Sequence, residues 1–98
     1  MRTPPLILIV DDNPANVDIL QMRLAVHNYD ILTAVDGEAG LALARDKQPD
    51  LILLDIMMPK MDGIEVCRRI KEDHSLPFMP IIMVTAKADS KDVVAVSS

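Results

Sequence analysis

Leu6-Ile7-Leu8-Ile9-Val10 and Leu51-Ile52-Leu53-Leu54 are unbroken apolar runs of strand length, and they limit the fold more than any other feature of the 98 residues. A strand with one face in water alternates apolar and polar side chains. A run without alternation has to be covered on both faces, as in a parallel sheet between helices. The segments between such runs carry helical spacing. Asn13-Pro14 offers an N-cap and a first-turn proline for a helix to about His27, with Val17, Leu20 and Leu24 as its inner stripe. Ile31 to Val35 reads as a second strand, Asp36-Gly37 as a turn with a cap, and Glu38 to Lys47 as an Ala/Leu-rich helix stopped by Gln48-Pro49-Asp50. Ile64, Cys67 and Ile70 mark a third helix, and Pro80 to Val84 a fourth strand. A fourth helix, capped by Asp89 or Ser90, is expected through Val93-Val94. Regular alternation of strand and helix implies right-handed crossovers and the α/β class. The length suits one domain over residues 1–98.

All parallel strands end on one edge of the sheet, and this chain gathers carboxylates there. The first run delivers Asp11-Asp12 and the third strand delivers Asp55. In a doubly wound sheet whose order reverses at the first strand, those two strands are neighbours and their ends form the switch-point crevice, where ligands bind. Three like charges there would raise one another's pKa unless a cation neutralised them. A hard ion such as Mg2+ takes carboxylate oxygens, a backbone carbonyl and waters, so Asp11, Asp12, Asp55 and the Met57 carbonyl form a candidate ligand set. An aspartate beside such an ion can also act as a nucleophile toward phosphorus, forming an acyl phosphate. Thr85, leaving the fourth strand, would place a hydroxyl beside that group, and Ala86 would keep the approach open.

Four motifs now stand in order: Asp11-Asp12 after a strand, Asp55 after another, Met58-Pro59 with Asp62-Gly63 downstream, and Thr85-Ala86 after the fourth strand. From Leu6 to about Val94 the chain resembles the receiver domains of two-component response regulators. The resemblance implies a doubly wound, flavodoxin-like parallel sheet of order 2-1-3-4. It implies that Asp55 accepts a phosphoryl group from the phosphohistidine of a histidine kinase or phosphotransfer protein. Asp11, Asp12 and the Met57 carbonyl would help Asp55 hold Mg2+, and Thr85 would follow the phosphoryl group in a conformational switch. The exposed side of the first helix, near Pro14, Ala15, Asp18, Ile19 and Met22, would meet the kinase's helical domain. The module implied is a regulatory phosphoacceptor rather than an enzyme with turnover. Members of the family continue into a fifth strand, ending in a lysine that pairs with the phosphoryl oxygens, and a fifth helix. The sequence as read to Ser98 reaches neither, and Lys87 is a poor substitute because it begins a different loop. An open strand-four edge would then favour self-association, as a homodimer or an element-swapped oligomer.

Composition closes other routes. A formal charge of -5 argues against a nucleic-acid surface. The single Cys67 rules out an internal disulfide and fits a reducing cytoplasm; its place on the third helix's apolar stripe points to burial. The five apolar residues after Pro5 are too few for a signal segment or a membrane span. Seven methionines read as packing rather than soft-metal ligands, and His27 and His74 stand alone. Asp12 alone would be an ordinary helix cap, and Asp55 alone an ordinary turn former; their coincidence argues for function. Three other functions compete: a degenerate receiver fragment serving as an interaction module, an aspartyl phosphohydrolase, and a flavodoxin-like cofactor binder. The phosphohydrolase needs a second aspartate where Met57 stands, and the cofactor binder needs a phosphate loop absent after the first strand.

Overall fold

A computed structural model describes residues 3–58, 60–84 and 94–97. In chain order the elements are β1 (Leu6–Val10), α1 (Pro14–Ala25), β2 (Asp30–Ala34), α2 (Gly37–Lys47), β3 (Leu51–Asp55), α3 (Gly63–Glu72), β4 (Ile81–Val84) and β5 (Val94–Ser97). The four parallel strands lie in the order β2-β1-β3-β4 that the family resemblance implied, and they form the helix-covered α/β sheet anticipated from the two apolar runs. Register explains why those runs do not alternate. Leu8 pairs with Ile52 and Ile52 with Ile81, and these three, with Val10 and Leu54, pack beneath α2 and α3. Ile7 and Ile9 turn to the opposite face and meet Val17, Leu20 and Leu24 of α1. Each neighbouring side chain in β1 therefore has its own core to enter.

Three helix starts are set by side-chain caps. The Asn13, Asp36 and Asp62 side chains accept hydrogen bonds from Ala15, Ala39 and Glu65 N–H at 2.9, 2.7 and 2.9 Å, satisfying donors that the first turn leaves orphaned. The helix α1 stops at Ala25, short of His27, and Asn28 takes the left-handed conformation just beyond, at φ 63°. On α3 the inward stripe is Val66, Cys67 and Ile70, whereas Ile64 is 58 % exposed. Helical spacing admits either, since Ile64 lies three residues before Cys67 and Val66 four before Ile70. Tight seating of Gly63 against β3 turns positions 63, 66, 67 and 70 inward and decides it.

The chain departs from expectation beyond β4. Val94 lies in a strand rather than in a fourth helix, and β5 pairs antiparallel to β4 with Val84 opposite Val94 and Ile81 opposite Ser97. Residues 85–93, with both proposed caps, lie outside the described residues. Hydrogen bonds offered by the β4 edge, together with β-branched valines at Val94 and Val96, outweigh a weak helical pattern. Among the described residues there is neither a parallel fifth strand nor a fifth helix. Because β5 occupies the β4 edge, self-association through that edge loses its premise. Among the described residues no helix is long and apolar enough to cross a membrane.

Candidate functional site

At the carboxyl end of β1, the Asp11 N–H extends the ladder to the Ala34 carbonyl at 3.0 Å, while the Asp11 side chain bends back to accept from Asn13 N–H at 2.9 Å. That turn leads into α1, whose positive N-terminal end then lies beside the carboxylates. Asp55, the last residue of β3, makes the matching turn: its Oδ1 accepts from Met57 N–H at 3.1 Å. Since β1 and β3 are adjacent, the two turns bring Asp11, Asp12 and Asp55 together, with one carboxylate oxygen of each inside a group no more than 4.8 Å across. Asp11 and Asp55 are buried, at 6 % and 5 % exposure, whereas Asp12 is exposed.

Such a grouping is electrostatically uncomfortable. The Asp55 carboxyl is pushed up to about 6 on balance: burial raises it most, the Met57 N–H bond pulls it down, and the charges of Asp11 and Asp12 raise it further. None of the three is in an ion pair with a lysine or arginine among the described residues. Carboxylate oxygens converging without a cationic side chain are a donor set that fits a hard divalent ion. The Asp11, Asp12 and Asp55 predicted from sequence are thus brought together. Met57 takes part through its N–H, a contact that the sequence did not show because only its carbonyl was a candidate ligand; the residue is 55 % exposed. Thr85, Ala86 and Lys87 lie outside the described residues. Pro14, Ala15, Asp18, Ile19 and Met22 are all exposed on α1. Cys67 is buried in the core, and both histidines are exposed.

Comparison with known proteins decides the family. The family model for the response regulator receiver domain matches residues 7–98. The chain belongs to the response-regulator receiver family. Among curated relatives, this receiver is 47 % identical over 88 residues to the DNA-binding dual master transcriptional regulator RpaA of Synechocystis, covering 90 % of this chain and 36 % of that protein. It is 47 % identical over 88 residues to the alkaline phosphatase synthesis transcriptional regulatory protein PhoP of Bacillus subtilis, with 90 % and 36 % covered. The receiver thus spans about a third of the length of these relatives. Among solved structures, the N-terminal domain of a response regulator receiver protein from Methanoculleus marisnigri superposes with a TM-score of 0.81 at 41 % identity, covering 92 % of this chain and 73 % of that one. A CheX-CheY-BeF3-Mg complex from Borrelia burgdorferi matches with a TM-score of 0.75 at 36 % identity, with 85 % and 63 % covered.

Proposed function

We propose that this receiver is the phosphoacceptor of a two-component relay, with Asp55 taking a phosphoryl group from the phosphohistidine of a histidine kinase or phosphotransfer protein. One observation carries the reading: the convergence of three carboxylates within 4.8 Å at the switch point, two of them buried and none in an ion pair with a described lysine or arginine. A related structure that holds Mg and BeF3 supports it. Asp11, Asp12, Asp55 and the Met57 carbonyl would hold Mg2+. When bound, that ion supplies positive charge to the carboxylates and to the phosphoryl oxygens. Met57 N–H holds one oxygen of Asp55, so the carboxylate is oriented before the donor arrives. A carboxylate oxygen of Asp55 attacks phosphorus, the O–P bond forms as the P–N bond of phosphohistidine breaks, and the electron pair leaves with the imidazole nitrogen, which takes up a proton. Thr85, by family likeness, would donate its hydroxyl to the phosphoryl group. The exposed Ile19 and Met22 of α1 would offer apolar contact to the donor's helices.

Intact-mass measurement after incubation with Mg2+ and acetyl phosphate tests this. A single phosphate adduct is expected on the wild type and none on Asp55→Asn. Absence of any adduct on the wild type, under conditions that label another receiver, would sink the reading in favour of an interaction module without phosphorylation.

A further inference from the structure

We infer that Gly63 is a positioning residue for Asp55, and that the first turn of α3 acts as a clamp on the peptide that carries the acceptor carboxylate. The inference rests on the functional reading of Asp55 but extends it to a residue eight positions away.

Gly63 is buried at the start of α3, directly after the Asp62 cap. No glycine in the described chain has a positive φ, so Gly63 is not there for conformational freedom. Its reason is space. A β-carbon added to Gly63 would collide with the Asp55 carbonyl oxygen and come within 2.9 Å of both the Asp55 carbonyl carbon and Ile56 Cα. All three atoms belong to backbone, which cannot swing aside as a side chain can. The same residue also holds that segment by hydrogen bonding, since Gly63 N–H donates to the Ile56 carbonyl at 3.1 Å. On the other side, Ile56 N–H donates to the Val84 carbonyl of β4 at 3.2 Å. The Asp55–Ile56 peptide is therefore gripped between β4 and the first turn of α3. The next donor along the chain, Met57 N–H, is the one that orients the Asp55 carboxylate. Any side chain at position 63 pushes on the backbone between the acceptor and its orienting donor.

Gly63→Ala displaces this peptide while removing none of the carboxylates. Two readouts separate the claim from the reading beneath it. The Met57 amide NMR resonance, recorded without metal, reports the Asp55 hydrogen bond directly. Mg2+ affinity, measured by titration on the full chain, reports the assembled site. Gly63→Ala should move the Met57 amide and weaken Mg2+ binding by about tenfold, the loss typical of removing an outer support of a metal site. Ile70→Ala is the control: it loosens the same helix by a core cavity but does not push on Asp55, so it should lower stability and leave both readouts near wild type. Should Gly63→Ala not fold, Asp62→Ala and Asp62→Asn decide. They carry equal charge, but only Asn retains the cap of α3, so only Asp62→Ala should move the Met57 amide. An unmoved Met57 amide in Gly63→Ala, or an equal change in Ile70→Ala, overturns the clamp. A wild type that binds no Mg2+ overturns the functional reading instead, and the metal-free amide still judges Gly63.

Discussion

Asp55 concentrates the conflict between folding and function in a single residue. Its carboxyl is pushed up from the ordinary 3.8 to about 6 because it is buried, and because Asp11 and Asp12 stand beside it. For an acid raised on folding, the native state binds the proton more tightly than the unfolded state between those two values. The stability it contributes is thus fully present below pH 3.8 and is lost as pH rises to about 6, staying lost above. Asp55→Asn, without divalent ions, should therefore match wild-type stability near pH 4 and exceed it at pH 7 by about 1–2 kcal/mol, after screening by nearby solvent. Adding Mg2+ at a hundredfold over its Kd should raise wild-type stability by about 2.7 kcal/mol and Asp55→Asn far less. Urea denaturation at the two pH values, with and without Mg2+, checks both; a Mg2+ response of equal size in the variant would refute the assignment. These three aspartates were legible in sequence because charged residues directly after unbroken apolar runs have few structural reasons to be there. The N–H of Met57 was not legible, since a backbone donor carries no residue-type signal.

Among the elements, helix α2 shows how closely the pieces of this fold approach. Gly40 sits over Val10 of β1, and a β-carbon there would come within 2.7 and 2.8 Å of the two Val10 methyls. Gly40→Ala should cost about 1–3 kcal/mol by overpacking. Trimming the partner should recover part of that loss, so that Gly40→Ala with Val10→Ala is less destabilised than the sum of the single variants. Thermal denaturation of the four proteins in the cycle measures it, and strict additivity would mean that the two residues do not press on one another. Element type was readable from periodicity and caps for α1, α2 and α3, with Asn13, Asp36 and Asp62 each placed before a helix. What periodicity could not decide was which of two neighbouring apolar residues, Ile64 or Val66, faces inward, because that rotation is set by the seat of Gly63 on β3. Nor could it show Val94 in a strand, since a short apolar segment takes whichever structure the nearest unpaired edge offers.

At the scale of the whole sheet, the described residues show β3 unequally covered on its two faces. On the side of α2 and α3, Leu8, Ile52, Leu54 and Ile81 are fully buried. On the side of α1, Leu51 and Leu53 are only partly buried. Truncation should report this asymmetry. Ile52→Ala is expected near the upper end of the usual 2–5 kcal/mol range, about 4 kcal/mol, and Leu53→Ala near or below its lower end, about 2 kcal/mol. Chemical denaturation of the two variants gives the comparison; equal losses would show that the α1 face is as well packed as the other.

The order of apolar runs, caps and carboxylates determined by itself the parallel sheet and the edge onto which Asp11, Asp12 and Asp55 emerge, while the strand order that makes them neighbours rested on the family resemblance. The sheet and its edge follow from local pattern, and parallel connection forces all strand ends onto one side. Only the tertiary structure decided how those groups are held: the Met57 N–H on Asp55, the glycine seat beneath it, and the antiparallel β5 along β4. Those features depend on which atoms approach within a few ångströms across the fold, a matter of distance in space that spacing along a chain does not encode.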